Sequence, residues 1–376
     1  MVVKHSAARW GRALCVVLLS MGASVAWAQA TAGVAAAAPI VLGQSVALTG
    51  AGAALALPFQ QGAKLHFDRV NAAGGISGRP IELVTLDDAG VPEQAAANTQ
   101  KLLAQNPLAL FGYYGSPQVA ASYKLIKDSD VLLFAPMAGG DEFRGAVYPN
   151  VFTLRPGYSE EAMAVMRHAA TLGARKLAIL HAADSDSMAA LESAENTLNG
   201  LGANLVFKGA ITAPDKALAA KPESLLVIGD ARSAAAAIRD LRAQGFRGQV
   251  YGFSNTGESL LADLLGSAGA GVVVVRGVPR SDNARLAIVR DLQADAAAGK
   301  LGKPNVYMLE GYIAARVMTE ALRRMGKDIT RARLRKTLET MEELNLGGFR
   351  VHFAGERVAS RLLELGLIDA QGRVRE

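Results

Sequence analysis

Cysteine is almost absent from this 376-residue chain, in which Cys15 is the only one. Cys15 lies in an N-terminal segment that we predict to be removed, so the remaining chain would have no disulfide, thiolate nucleophile or cysteine-ligated metal. The five histidines are scattered, with no pair at the spacing of metal ligands. We therefore predict no metal site and no cofactor, and no motif places a nucleophile beside a base.

A long apolar run is also missing. A membrane span needs ~20 apolar residues, and no uncharged run reaches that length. The apolar segment Ala13–Met21 follows the basic residues Lys4, Arg9 and Arg12 and precedes the small-x-small pattern of residues 26–28. This order is typical of a secretory signal. We predict a signal peptide over residues 1–28, cleavage near Ala28 and export, with an uncleaved anchor as the alternative.

A strong charge imbalance is missing too, although the calculated pI is 9.4. Three of the 40 Lys and Arg residues lie in the predicted signal, which leaves 37 against 34 Asp and Glu. A local basic excess over residues 323–336 favours a solvated helix face, with docking on a membrane partner as the alternative. Because nucleic-acid motifs are absent, we predict no nucleic-acid partner.

The pattern that is present alternates short apolar runs with longer amphipathic ones. It predicts strands at 40–48, 81–86, 108–112, 131–135, 176–181, 204–207, 224–228, 249–253 and 271–276. It predicts helices at 56–70, 93–105, 117–128, 159–172, 187–201 and 231–244, followed by helices at 283–300, 305–325 and 330–341 and final strands at 347–353 and 362–368. Strands separated by helices indicate parallel sheets, and two such series before and after residues 155–158 predict two similar α/β lobes.

One stretch, Phe59–Asp88, carries a resemblance to a known family. A helical run ends near Asn71, a turn with Gly74, Gly75 and Gly78 follows, and residues 81–86 form a strand that ends in two aspartates. This stretch resembles the extracytoplasmic solute-binding proteins of ABC importers, of the leucine/isoleucine/valine-binding type. The resemblance covers essentially the whole chain after the signal.

The resemblance implies the type I periplasmic binding protein fold, with two Rossmann-like lobes on parallel sheets and a three-crossover hinge. The crossings are expected near Pro156, Pro279 and Leu346. The predicted lead-in is residues 29–39. With these crossings, lobe 1 consists of residues 40–155 and 280–345, and lobe 2 consists of residues 156–279 and 346–376.

The resemblance also implies a function without catalysis. We expect a periplasmic, monomeric protein that binds a small solute and delivers it to a membrane permease. An extracytoplasmic ligand sensor on the same fold is the alternative. For the solute, a small carboxylate or amide-type compound ranks before a branched aliphatic amino acid.

The first candidate contact is Ser116, which follows the third predicted strand at the start of a helix. Its hydroxyl and the free backbone N–H groups there favour an anion, although Ser116 could simply cap the helix. In the resembled family this position holds a ligand carboxylate together with neighbouring backbone, which implies contacts at Tyr114, Gly115 and Ser116.

Other candidate contacts depart from the family pattern. Gly50 and Gly52 form only part of a nucleotide-binding motif, because the motif needs a further glycine where Leu55 stands. The resemblance places an aromatic cleft residue at Leu55. It also places a Ser or Thr at Gly139. At Gly139 and the neighbouring Ala138, only backbone N–H groups remain to contact the ligand.

In the second lobe, the resemblance places a tyrosine at Asp186 and an ammonium-binding carboxylate near Asn255. Asn255 cannot supply that charge, and a buried ammonium without a counter-charge is costly. Asp186 or Asp230 could supply it from a neighbouring loop. Asp184 and Asp186 also lie beside the start of a predicted helix, where acidic residues are ordinary caps.

Overall fold

The computed structural model describes residues 38–50 and 52–375. The predicted signal peptide and most of the predicted lead-in over residues 29–39 lie outside these residues. Among the described residues, no helix has both the length and the apolar composition that crossing a membrane requires.

The first part of the chain forms a parallel sheet of five strands. These are β1 (Ile40–Val46), β2 (Ile81–Asp87), β3 (Ala109–Phe111), β4 (Leu133–Phe134) and β5 (Val151–Phe152), with helices α1 (Ala53–Ala72), α2 (Pro92–Leu103) and α3 (Ser116–Tyr123) between them. The strand order is β2-β1-β3-β4-β5. Because β2 and β3 lie on opposite sides of β1, a crevice opens between the loops that follow β1 and β3.

The second part repeats this plan. Its strands are β6 (Lys176–His181), β7 (Asn204–Ala210), β8 (Ser224–Ile228), β9 (Gln249–Gly252) and β10 (Val272–Arg276), with helices α4 (Tyr158–Thr171), α5 (Ser185–Gly200), α6 (Pro214–Ala219), α7 (Ala231–Ala243) and α8 (Glu258–Leu265). These strands run parallel in the order β10-β9-β8-β6-β7. The four valines of β10 are buried, as expected for a strand covered on both faces. A second crevice lies between the loops after β6 and β8.

The remaining chain returns to the first sheet and then to the second. It forms α9 (Ala287–Ala298), α10 (Val306–Met325), α11 (Arg331–Glu339), β11 (Leu344–Asn345), β12 (Arg350–Val351), β13 (Glu364–Ile368) and β14 (Val374–Arg375). Helices α9–α11 share a hydrophobic core with the first sheet. Strand β13 pairs antiparallel with β10, and β14 pairs with β13.

Helices α1 and α10 approach closely because glycine lies on both sides of their contact. A Cβ on Gly62 would overlap the carbonyl of Met308, and a Cβ on Gly311 would overlap the carbonyl of Phe59. Close backbone approach is one of the few conditions that require glycine. The contact fixes α10 against the helix that begins at the first crevice.

The predicted α/β fold with two parallel-sheet cores is confirmed. The chain passes between the two sheets after β5, after β10 and before β13. Leu346, Phe349 and Ala359 still pack in the core of the first sheet. The lobe boundaries stay a proposal, and we place the third crossing between Ala359 and Glu364 rather than near Leu346.

The sequence pattern missed the shortest elements and misjudged some ends. Strand β5 has two residues and α6 has six, which is too short for a periodic hydrophobic pattern. Helix α8 was not predicted either. The helix predicted at 117–128 ends at Tyr123, and the one predicted at 283–300 begins at Ala287.

The stretch that carries the resemblance forms a tight connection from α1 to β2. The Asn71 side chain accepts a hydrogen bond from the Ile81 amide at 2.7 Å and donates to the Ile81 carbonyl at 2.8 Å. Gly75 has a φ of +72°, and a Cβ there would overlap the carbonyl of Arg79. The connection therefore requires these residue types for its own geometry, and it contributes no residue to the cavity described below.

Candidate functional site

A cavity of about 390 Å³ lies where the crevices of the two sheets meet. Six of the nine predicted contacts line it, namely Leu55, Tyr114, Gly115, Asp186, Asp230 and Asn255. The other three, Ser116, Ala138 and Gly139, are buried behind the lining. We call the lining from the first sheet the first wall (residues 52, 54–55, 89–90, 92, 114–115 and 117–118) and that from the second sheet the second wall (residues 183–187, 230–231, 255 and 260).

The carboxylate of Asp186 connects the two walls. It lies in the first turn of α5 and accepts a hydrogen bond from the backbone amide of Ser116, at the start of α3, at 3.1 Å. Its other oxygen accepts from the Tyr158 hydroxyl at 2.8 Å and from Asn255 Nδ2 at 2.9 Å. The anion-binding amide predicted at Ser116 is therefore occupied by a side chain of the protein itself.

Tyr158 explains why residue 139 is glycine. A Cβ on Gly139 would overlap the Tyr158 ring, and the Tyr158 amide donates to the Gly139 carbonyl at 2.8 Å. The ring also stacks on Phe253, with centroids 5.7 Å apart and an interplanar angle of 12°. Burial, and then the nearby carboxylate of Asp186, raises the pKa of Tyr158 well above its ordinary value. Tyr158 is therefore a neutral hydrogen-bond donor at physiological pH.

The side chain of Ser116 does not cap its own helix. The cap residue is Gly115, with a φ of 90°, and no side chain caps α3 among the described residues. The Ser116 hydroxyl instead accepts from the Gly140 amide at 3.1 Å. The carbonyl of Ala138 accepts from the Arg144 guanidinium at 2.9 Å. The structure thus uses these positions to hold the loop behind the first wall.

The first wall is neutral and presents few free donors. The Tyr114 ring lies over Gly52, where an added Cβ would come within 2.6 Å of Tyr114 Cε1. Gln118 donates from Nε2 to the Gly90 carbonyl at 2.6 Å. Its Oε1 is buried and has no hydrogen-bond partner in the described part of the chain. The first wall therefore offers the cavity an apolar ring and an unpaired acceptor.

The second wall carries three carboxylates. Asp184 caps α5 by accepting from the Ser187 amide at 2.9 Å, and Asp230 caps α7 by accepting from the Arg232 amide at 2.8 Å. Both aspartates are exposed at the mouth of the cavity, whereas Asp186 is half-buried inside. Asp184 is a cap, as the sequence alternative proposed, Asp230 is a cap as well, and both also line the cavity.

The electrostatic character of the cavity is acidic. Of the described residues that line it, none is lysine or arginine. None of its three carboxylates forms an ion pair with another described residue at 4.0 Å or less. Within residues 38–50 and 52–375, no group of three His, Cys, Asp or Glu side chains is placed to hold a metal ion. The fixed negative charge is therefore left for a bound solute to neutralise.

A buried ionic network connects elements that pack on the two sheets. Arg155 lies between β5 and α4, 3.5 Å from Glu161 of α4 and 3.4 Å from Glu310 of α10. Its guanidinium also donates to the Ser254 hydroxyl, which donates to Glu161 at 2.6 Å. Burial opposes the charge of Arg155, but Glu310 and Glu161 outweigh it and raise the pKa of Arg155. The network holds the first crossing between the sheets.

Sequence reasoning missed Tyr158 and Gln118. Tyr158 directly follows Arg155-Pro156-Gly157, a segment read only as a crossing between lobes. Gln118 lies two residues after Ser116, in the first turn of α3, where its side chain can turn back into the crevice. The signal for Gln118 was its place in a helix turn that begins at a strand end.

The chain is similar in sequence to known proteins. The family model described as periplasmic binding protein matches residues 39–363. A leucine-specific-binding protein of Salmonella typhimurium is 25% identical over 299 residues, covering 76% of this chain and 78% of the relative. An amino acid binding protein of Pseudomonas aeruginosa is 24% identical over 301 residues, covering 77% and 79%.

A solved structure shows the same likeness in three dimensions. The extracellular ligand-binding receptor from Verminephrobacter eiseniae superimposes with a TM-score of 0.83 at 28% identity. The match covers 90% of this chain and 100% of that one. The two sheets and their connections are therefore those of a known fold.

Proposed function

The chain belongs to the periplasmic binding protein family, and we propose that it is the substrate-binding component of an ABC importer. It captures a small polar organic solute of the amino acid, carboxylate or amide-like classes and delivers it to a membrane permease. Family members are solute-binding proteins rather than enzymes.

The observation that carries this proposal is the cavity of about 390 Å³ with walls from both sheets. A solute that contacts both walls stabilises the closed arrangement by its differential affinity for that state. Hinge closure of two lobes around a ligand is a common structural switch. The permease then reads the closed form, and the solute is released unchanged.

Several finer features belong to the same proposal. The names of the relatives, an amino acid binding protein and a leucine-specific-binding protein, support an amino acid or an analogue of one as the solute. The signal pattern of residues 1–28 supports export to the periplasm with cleavage near Ala28. The protein would act there as a monomer.

A thermal-shift screen tests the proposal, with amino acids, amines, amides and carboxylates added to the purified chain from residue 29. A solute at 100 times its Kd should add about 2.7 kcal/mol of stability. Mass spectrometry should recover that solute unaltered. A screen without any shift, or a chemically changed product, would contradict capture.

A matched pair of variants locates the binding. Ala183→Trp puts a large side chain on an exposed position of the second wall and should abolish the shift. Ala219→Trp makes the same change on an exposed position of α6, which does not line the cavity, and should leave the shift unchanged. Equal behaviour of the two variants would place the solute elsewhere.

A further inference from the structure

We infer that the solute is a small organic cation with N–H donors and no free carboxylate. The inference rests on the proposed capture function and specifies which chemistry the cavity accepts. It follows from an occupied anion position, from two unpaired acceptors and from the charge of the second wall.

The position that would hold a ligand carboxylate is already filled. The Ser116 amide, at the positive end of α3, donates to Asp186 at 3.1 Å. The same carboxylate accepts from Tyr158 and Asn255 at 2.8 and 2.9 Å. A ligand carboxylate would have to displace a group that already has three hydrogen bonds.

The residues around Asp186 are shaped to support this arrangement. Gly139 leaves room for the Tyr158 ring, and the stacking of that ring on Phe253 directs the phenol toward Asp186. A hydroxyl at residue 139 would need a side chain, which the ring excludes. The donor that a ligand carboxylate would need is thus replaced by one that serves Asp186.

The buried side-chain atoms of the lining residues that have no partner in the described chain are both acceptors. Gln118 is 6% exposed and lines the cavity, and its Oε1 lies against Gly115 without a hydrogen-bond partner among the residues described. Asn255 donates from Nδ2 to Asp186, and its buried Oδ1 is likewise unpaired within the described chain. Unpaired buried acceptors are costly, so a solute that supplies N–H groups gains from both.

The charge of the second wall favours the same class. Asp184, Asp186 and Asp230 give three carboxylates around a cavity whose described lining contains no basic side chain. An anion entering it would meet like charge and lose hydration, whereas an ammonium would gain a counter-charge. A neutral solute would leave the acidic wall unpaired.

Four matched probes, measured by calorimetry at one ionic strength, separate the possibilities. Leucine has both charges, leucinamide and 3-methylbutylamine have only the ammonium, and 4-methylpentanoate has only the carboxylate. The set is repeated on the shorter skeleton of alanine, alaninamide, ethylamine and propionate. The inference predicts that a carboxylate-free cation binds best and at least about tenfold more tightly than the matched acid.

Variants at residue 186 test the cause of that preference. Asp186→Asn should reduce the preference for cation over acid by about tenfold or more. Asp186→Ala frees the Ser116 amide and should give the acid probe a measurable affinity. Asp215→Asn, the same change in the first turn of α6 and outside the cavity, should alter neither value.

Each outcome counts for or against the inference. If the tightest probe has a free carboxylate and the cations fail, the inference is wrong while capture stands. A variant that unfolds leaves the wild-type ranking as the deciding result. If no cation probe binds, the inference is wrong, and the thermal-shift screen decides separately whether capture stands.

Discussion

The two walls of the cavity come from similar sheets but differ in charge and in the side chains they present. Both walls are formed at the loops where strand order reverses, yet all three lining carboxylates lie on the second wall. The first wall contributes Leu55, the Tyr114 ring and the amide of Gln118. The difference indicates that the first wall sets the shape of the bound solute and the second wall sets its charge.

The first sheet also has acids at its strand ends, but they are turned into its own loops. Asp87 accepts from the amides of Leu48 and Ala89 at 2.9 and 2.8 Å. Asp88 is fully buried and accepts from the Ser45 hydroxyl at 2.8 Å. Their charge is used to close the loops, whereas Asp184 and Asp230 stay exposed at the mouth of the cavity.

The largest effect should come from breaking the buried ionic network around Arg155. Arg155→Met leaves Glu161 and Glu310 buried without their cation and should lower the free energy of unfolding by about 3–5 kcal/mol. Urea unfolding measures the loss. Arg350→Met removes an exposed pair with Glu343 and should cost less than about 1 kcal/mol. Equal losses would show that Arg155 does not stabilise the first crossing between the sheets.

The next effect should come from disturbing the support of Asp186. Gly139→Ala forces the Tyr158 ring to move and should cost up to about 3 kcal/mol by overpacking, with weaker solute binding. Gly302→Ala, at a position where a Cβ meets no heavy atom within 4 Å, is the control and should preserve both values. If Gly139→Ala behaved like the control, the ring would not be needed to position Asp186.

The packing of His66 behind the first wall should make the stability of the protein depend on pH. His66 of α1 packs edge-on against Tyr312, with centroids 5.2 Å apart. Burial, and then Arg316, lowers the pKa of His66 from 6.5 to about 3. Between these values the unfolded chain binds the additional proton, so this contribution to stability falls as the pH drops below 6.5.

His66→Phe removes the titration and retains the ring. The free energy of unfolding of the variant minus that of the wild type should be roughly 2 kcal/mol larger at pH 5 than at pH 7.5. Chemical denaturation at both pH values measures the change. A constant difference between the two proteins would mean that His66 takes up its proton in the folded state over the same pH range as in the unfolded chain.

The smallest effects should come from the acids at the mouth of the cavity. Asp184→Asn and Asp230→Asn each remove one charge but keep a good helix cap, so each should change stability by less than about 1 kcal/mol. Cation affinity should fall a few-fold at low salt and less at high salt. If the loss of cation affinity were independent of salt, these aspartates would contact the solute directly.

The sequence predicted the scaffold better than the site, for physical reasons. The predicted bounds of β6 and β8 match the structure because these strands are short apolar runs between clear breaks. The family resemblance is confirmed by the family model that matches residues 39–363. The α1–β2 connection that carried it needs Asn71 and its glycines for local geometry. The hydrogen bond between Asp186 and Ser116 joins residues 70 positions apart, so no local sequence pattern could predict it.

Absent side chains were also harder to interpret than present ones. Gly139 was read as the loss of a ligand contact, because the sequence alone does not show what fills the space. The structure fills it with Tyr158, which was read only as part of a crossing. A departure from a family pattern therefore has to be interpreted together with its spatial neighbours.

The most direct test is a crystal structure of the protein with its tightest small-molecule ligand. The account predicts a ligand nitrogen within about 3.5 Å of the Asp186 carboxylate and of Gln118 Oε1. The bond from the Ser116 amide to Asp186 should remain. A ligand carboxylate on the Ser116 amide, with Asp186 displaced, would contradict the assignment of charge recognition to the second wall.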